Sequence, residues 1–455
     1  MSGLPSGWCE TELGALIEHI QAGLNLKCEE RPPRDGEKGL VKISAVTWGR
    51  FDEDQSKTLP SDATAAETAR IVPGDLLISR ANTIELVGAT VIVEDVTRAL
   101  YLSDKVLRLV VPEESKRWIN YALKTAEARK AIQDASSGNQ LSMRNISQEN
   151  LRRVTIPLAP LPEQKRIADK LDSVLARVDA CRDRLDRIPA LLKRFRQSVL
   201  AAATSGRLTE DWRGGDRADY AAVPLSQLVT EPLRNGKSVK DGNGTRVLRL
   251  SAFKRGGLDY SESKRGDWDG IDCRRFLIQE GDFLIARGNG SRELVGRGGL
   301  VGALSSEIAF PDTVIRVRVD TTRLSPAFLS FVWDSANIRQ QIESSARTTA
   351  GIWKISQGDL EGLKIPSPDM PEQHEIVRRV ETLFAFAGRL EARCAAARKQ
   401  AGQLTPALLA KAFRGELVPQ DPADEPAAEL LKRLATSRAD APKARRGKPR
   451  ASTGV

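Results

Sequence analysis

The chain repeats itself. Val41-Lys42-Ile43-Ser44-Ala45 returns 207 residues on as Leu248-Arg249-Leu250-Ser251-Ala252, and Gly74-Asp75-Leu76-Leu77-Ile78-Ser79-Arg80 returns at the same shift as Gly281-Asp282-Phe283-Leu284-Ile285-Ala286-Arg287. Glu85-Leu86-Val87-Gly88 matches Glu293-Leu294-Val295-Gly296 at 208, and Pro162-Glu163-Gln164 matches Pro371-Glu372-Gln373 at 209, as Gly206 matches Gly415. So small a drift over so long a shift means one unit of about 208 residues, copied once. Any fold must therefore be solved twice by similar sequences, each copy having a globular part of roughly 150 residues, the size of one domain, followed by a helical part.

The globular parts read as mixed. Leu76–Ile78, Thr90–Val93, Val106–Val110 and Val314–Val319 read as strands, the last alternating at period two, and Trp118–Asp134 and Pro326–Ser344 read as helices. That order predicts an α+β fold. In the helical parts apolar residues recur at alternating steps of four and three. The first series is Ile167, Leu171, Val174, Val178, Cys181, Leu185, Ile188, Leu192, Phe195, Val199 and Ala202. The second is Ile376, Val380, Leu383, Ala387, Leu390, Cys394, Ala397, Ala401, Leu404 and Leu408. A sustained 3.5-residue repeat predicts a coiled-coil seam. Pro162 and Pro371 suit first helical positions and Gly206 and Gly415 suit stops, giving helices of about 44 residues, roughly 65 Å each. Pro189 and Pro406 fall inside and should kink them or interrupt their hydrogen bonding. The two helices can pack as an antiparallel pair with a pseudo-two-fold axis, or each on its own domain. The expected segments are 1–160 and 209–369 as globular domains, 161–208 and 370–435 as helical parts, and 436–455 as a disordered basic tail without apolar periodicity.

The net charge of +10 on 455 residues fits a polyanionic partner, nucleic acid above all. The five scattered cysteines, without a CxxC pair, argue against a zinc site or a disulfide framework, and two histidines leave little room for histidine chemistry. No run is long and apolar enough for a membrane span, and no signal peptide is visible at the start, so a cytoplasmic protein without a membrane role is expected. Asn235-Gly236-Lys237-Ser238 ends like a P-loop, but Glu231 stands where its first glycine is required, and Gly288-Asn289-Gly290 meets Glu293 where a dinucleotide fingerprint needs glycine. No catalytic constellation is found. Asp75 and Asp282 read as turn residues.

The order of a domain, Leu161-Pro162-Glu163-Gln164-Lys165-Arg166-Ile167, a heptad helix, Gly206, and then the whole again resembles the specificity subunits of Type I restriction-modification systems. Gly74 to Arg80 and the ending Ala412-Phe413-Arg414-Gly415-Glu416-Leu417-Val418-Pro419-Gln420-Asp421-Pro422 are similar to that family too. The resemblance spans all but about the last twenty residues. It implies two target-recognition domains, each reading one half of a split double-stranded DNA site, on helices that act as a spacer and as a dock for two methyltransferase (modification) subunits. Those partners would carry S-adenosylmethionine and methylate adenine. Restriction subunits, where present, would add ATP- and Mg-dependent translocation and cleavage. This chain would hold no cofactor or metal and catalyse nothing. Two diverged readers imply an asymmetric, gapped site, with the readers about one helical turn, roughly 10 bp, apart. Alternatives are a specificity protein of another methyltransferase-based phage-defence system, a coiled-coil scaffold without a DNA role, and, against the missing motifs, a nuclease or methyltransferase in its own right.

Base edges call for Arg or Lys at guanine and Asn or Gln at adenine. The first candidates for DNA loops are Arg80, Asn82 and Thr83 in one copy and Arg287, Asn289, Ser291 and Arg292 in the other. The second are Asn139 and Gln140 with Arg144, and Arg347 and Thr348 with Lys354. Repetition of Arg80 as Arg287 also fits a role in building the fold, because residues that set specificity should differ between copies. Placing Ile167 and Ile376 at d puts Lys170, Arg177, Arg182, Arg184 and Arg196 on the flanks of the first helix. It puts Arg379, Glu391, Arg393 and Arg398 on those of the second. These mainly basic flanks should neutralise each other poorly. They are candidates for subunit docking or for the DNA backbone, against the plainer reading of solvated charge.

Overall fold

The computed structural model describes residues 3–140, 143–216, 220–254, 257–292, 294–349 and 351–440, with the backbone alone at 139, 140, 349 and 440. It divides into two units, residues 1–183 with 398–455, and residues 184–397, so the division falls inside the helical segments.

In the first unit an antiparallel sheet runs in the order His19–Gln21, Val106–Val110, Leu76–Ser79, Thr90–Ile92. Helices Glu113–Ala122 and Ala126–Ala135 cover one face, with Trp118, Ile119 and Ile132 in the same buried cluster as Leu76, Ile78, Leu107 and Leu109. A second sheet joins Ser56–Thr58, Lys38–Val41 and Ala99–Tyr101, its last pair parallel. The second unit repeats both sheets in the same order. Arg234–Asn235, Val314–Val317, Phe283–Ala286 and Gly298–Leu300 form the first, and Ser263–Gly266, Asp241–Leu248 and Ile308–Ala309 the second. The single helices expected at Trp118–Asp134 and Pro326–Ser344 are each two. Thr125 and Ser335 end one helix and cap the next, their hydroxyls accepting from the amides of Ala128 and Ile338.

The repeated motifs are structural devices. Gly74 and Gly281 hold φ of 88° and 87°, which a side chain resists. The aspartates after them close the turn and hold a strand arginine. Asp75 accepts from the Val72 amide and Arg108 Nη2, and Asp282 from the Gln279 amide and Arg318 Nε. Gly88 and Gly296 also have positive φ, and a Cβ there would meet Ile132 and Ile342 at 2.7 and 2.6 Å.

Two helices of 44 residues, Leu161–Thr204 and Met370–Phe413, carry the heptads. Within the first unit one buried cluster joins Ile167 and Leu171 to Leu409 and Phe413, and Arg182 reaches Ala401. Within the second Arg196 pairs with Glu391, and one cluster joins Val199 and Ala203 to Ile376 and Val380. As one number rises its partner falls, so the helices pack antiparallel in both units. Cys181 and Leu404, expected in the seam, are exposed, whereas Ala203 and Leu409 beside the expected Ala202 and Leu408 are fully buried or nearly so. A rigid 3.5 period drifts against a 3.6-residue helix, and helices that do not supercoil through the whole length lose register. Both helices continue through Pro189 and Pro406. Pro406 has no N–H for the Gly402 carbonyl. Arg182 Nη2 takes its place, donating to Ala401 O (2.8 Å), Gly402 O (3.4 Å) and Thr405 Oγ1 (3.2 Å).

A third helix, Ala427–Asp440, extends into the segment expected to lack structure. Its Ala427 and Leu430 lie in the first unit's core, the Ala427 amide donates to Gly7 O, and Arg438 reaches Gly14 O. The rest of the expected tail, 441–455, lies outside the described residues. No described helix is long and apolar enough to cross a membrane.

Candidate nucleic-acid interface

The two sets of candidate segments, separate in sequence, are one structure in each unit. In the first, Ala81–Asn82 pairs with Met143–Asn145, which pairs with Ser137–Gln140. Asn82 stands opposite Arg144. In the second, Gly288–Asn289 pairs with Ile352–Lys354, which pairs with Arg347–Thr349. Each unit thus carries a small polar antiparallel sheet, built as a two-stranded ribbon with a short third strand. A ribbon of this kind can enter a groove of a duplex, major or minor.

Arg80 and Arg287 lead into these sheets from the core strands and are locked by their backbones. Arg80 N donates to Lys105 O and its carbonyl accepts from the Ile146 amide; Arg287 N donates to Thr313 O and its carbonyl accepts from the Ile355 amide. Both side chains are half-buried, and neither guanidinium has a partner among the described residues, the Nε of Arg80 being buried without one. A half-buried guanidinium with unmet donors is poised for an acceptor from outside, and carbonyl and phosphate oxygens of nucleic acid both qualify.

Other candidates are committed to the protein. Arg144 was expected to face DNA, but its Nε and Nη1 donate to Ser136 Oγ (3.2 Å) and Gly138 O (2.9 Å), and its Nη2 to Ser136 O, which clamps the ribbon. Arg292 donates to Glu343 O through Nε and Nη2 and lies 5.1 Å over the Trp353 ring. Asn82 and Asn289 each cap their own loop, accepting from the amides of Thr83 (2.9 Å) and Ser291 (3.1 Å), and Asn82 Nδ2 donates to Thr47 Oγ1. Arg347, Thr348 and Lys354 are exposed on the second sheet, and Thr83 and Ser291 are half-buried in the loops. The side chains of Asn139 and Gln140 lie outside the described residues.

The helix flanks are less uniform than their charge suggested. Arg196 pairs with Glu391 at 2.7 Å, so these flanks do neutralise each other in part. Arg379 is fully used, on Asp211 (2.6 Å), Glu375 (2.6 Å) and Leu208 O (2.8 Å), and these carboxylates hold its guanidinium well above the ordinary arginine range. Arg182 is spent on the Pro406 break. Lys170, Arg177, Arg184, Arg393 and Arg398 are exposed.

Sequence reasoning missed the two sheets as units, and with them Met143 and Ile352, both exposed on their ribbons. These two stand 209 residues apart, so alignment of the copies would have found them.

A family model described as the Type I restriction modification DNA specificity domain matches residues 43–190. Over 460 residues the chain is 33% identical to the Type I restriction enzyme EcoKI specificity subunit of Escherichia coli (strain K12), the match covering 96% of each chain. It is 31% identical over 455 residues to the StySPI specificity subunit of Salmonella potsdam, again 96% of each. Among solved structures, the HsdS subunit from Thermoanaerobacter tengcongensis matches with a TM-score of 0.55 at 20% identity, over 91% of this chain and 98% of that one. A chain in a structure of complex assembly and conformational transition of the type I R-M system matches with a TM-score of 0.59 at 17% identity, over 91% and 99%. At such identities these two likenesses show the fold.

Proposed function

The chain belongs to the specificity subunits of Type I restriction-modification systems, and from that premise we propose how its two units divide the work. As such a subunit it recognises DNA and assembles with methyltransferase subunits, has no catalytic role, and leaves the cofactors to its partners. Each polar sheet reads one half of a bipartite site. The observation that carries this is the convergence, in both units, of the separate polar segments on one ribbon beside Arg80 or Arg287, whose guanidinium has no partner among the described residues. The two ribbons differ in almost every side chain, Arg144-Asn145 against Trp353-Lys354 for instance, so the two half-sites differ and the site is asymmetric.

Two methyltransferase subunits, binding S-adenosylmethionine, dock on the helices, with the exposed Lys170, Arg177, Arg184 and Arg393 facing acidic surface of those partners. Arg182 and Arg379 are engaged within their own units. Restriction subunits using ATP and Mg join through the methyltransferases, in the cytoplasm.

Co-expression with the neighbouring methyltransferase gene, followed by base-resolution mapping of methyladenine, tests the reading. The expected result is one gapped, asymmetric motif. A continuous palindrome would contradict it, and methylation by this chain without partners would overturn its non-catalytic role.

A further inference from the structure

Both ribbons carry an exposed large apolar side chain at a matching position, outside every buried core cluster. Met143 stands opposite Gln140 and Ile352 opposite Thr349, in matching hairpins 209 residues apart. They are 59% and 46% exposed, and neither belongs to a core cluster. Single exposed apolar residues are ordinary on protein surfaces. Here the copies have diverged around the position, yet each retains a bulky apolar group at the same exposed point of its sheet, beside the half-buried Trp353 in the second. In the first unit a loop bonded to the sheet exposes a second large apolar side chain. Trp48, 75% exposed, follows Thr47, whose hydroxyl accepts from Asn82 on the same sheet. Basic side chains, Arg80 on one side and Arg287, Arg347 and Lys354 on the other, give both surroundings the charge of a nucleic-acid partner.

We infer that Met143 and Ile352 are apolar wedges, each pressing on a base step of the half-site its own ribbon reads. Met and Ile are among the side chains that unstack a base step when inserted, and the bend that follows lets more of the duplex meet the protein. A wedge needs no hydrogen-bond partner, so it adds affinity and a preference for easily unstacked steps without reading a base edge. Arg80 and Arg287 supply polar contacts, and the wedges select for deformable sequence beside them. The inference rests on the DNA-reading role proposed above.

The test uses the complex with its methyltransferase subunits and duplexes bearing its mapped motif, with 2-aminopurine placed in turn at positions of each half-site. Wild-type complex should raise the fluorescence at one step in each half besides the adenine that the methyltransferase draws out of the stack. Met143→Ala should abolish the rise in one half-site only and Ile352→Ala in the other only, each weakening binding by roughly tenfold, the scale of one mismatched base pair. Met143→Leu and Ile352→Met should retain both the rise and the affinity. Retained affinity and an unchanged rise in both alanine variants would overturn the wedges while leaving the DNA-reading role intact. Failure of the wild-type complex to prefer any duplex would instead remove that role.

Discussion

At the start of the first long helix Glu163 is buried against Trp8, whose indole Nε1 donates at 2.9 Å; at the start of the second, Glu372 is buried against Thr209, Tyr220 and Arg213. The neighbouring glutamines do matching work. Gln164 donates to Ala159 O, and Gln373 to Pro368 O and Arg323 O while accepting from the Ser325 amide. One motif therefore nails each helix to its globular part, but the carboxylate faces a neutral donor in one unit and a cation in the other. Burial accordingly pushes the Glu163 carboxyl up. The copies thus preserve the position of a buried carboxyl more strictly than the charge of the group that bonds it.

The largest effect should come from breaking the charged version. Arg213→Ala leaves Glu372, 7% exposed, with neutral donors only, and removing one partner of a buried ion pair costs about 3 kcal/mol. Glu163→Gln keeps an acceptor for Trp8 and removes a disfavoured charge, so its cost should stay below about 1 kcal/mol. Denaturant unfolding of the two variants checks both, and equal losses would erase the distinction between the units.

Next come the paired arginines. Arg80→Ala and Arg287→Ala should each relax recognition of a different half-site, costing about 1–3 kcal/mol of discrimination if the guanidinium bonds a base. Competition binding with duplexes altered in one half at a time distinguishes this from phosphate contacts, which would weaken all sequences alike and reduce the salt slope.

These pairs show what was legible in the sequence. Duplication, several strands and the two long helices follow from repeats and periodicity, because the same local patterns had to fold twice. What the two copies share was visible, Gly74 with Gly281 or Glu163 with Glu372. Partnerships between distant residues were not. Nothing local says that Arg144 turns back on Ser136, or that Arg379 spends its charge on Asp211, since a basic residue on a flank looks the same whether solvated or engaged. The two polar sheets were half legible: their strands were chosen as separate candidates, and only long-range pairing joins them.

The helices allow a smaller comparison between the units. In the first, Arg182 replaces the hydrogen bond that Pro406 removes; in the second, Arg196 makes a half-exposed pair with Glu391. Arg182→Ala should cost about 1–2 kcal/mol, the scale of a charge-assisted hydrogen bond, whereas Arg196→Ala should cost less than about 0.5 kcal/mol. Pro406→Ala restores an N–H for Gly402 O. In that background the Arg182→Ala loss should shrink, which a double-mutant cycle on thermal stability reads as positive coupling.

The smallest effects are those of pH, and they should oppose each other in the two units. Glu375, bonded by Arg378 and Arg379, has its carboxyl lowered to about 2. Its stabilisation is present above the ordinary value near 4.5 and is lost as pH falls toward 2. Glu163 is raised, so the folded state holds its proton more tightly than the unfolded chain. That contribution is full below the ordinary value and is lost as pH rises through the folded one. Glu375→Gln should therefore flatten the loss of thermal stability between pH 4.5 and 3, whereas Glu163→Gln should remove a loss that sets in as pH rises above 4.5. Salt should shrink the Glu375 effect, because its partners are reached by solvent, and should leave the Glu163 effect nearly unchanged, because that group's shift comes from burial.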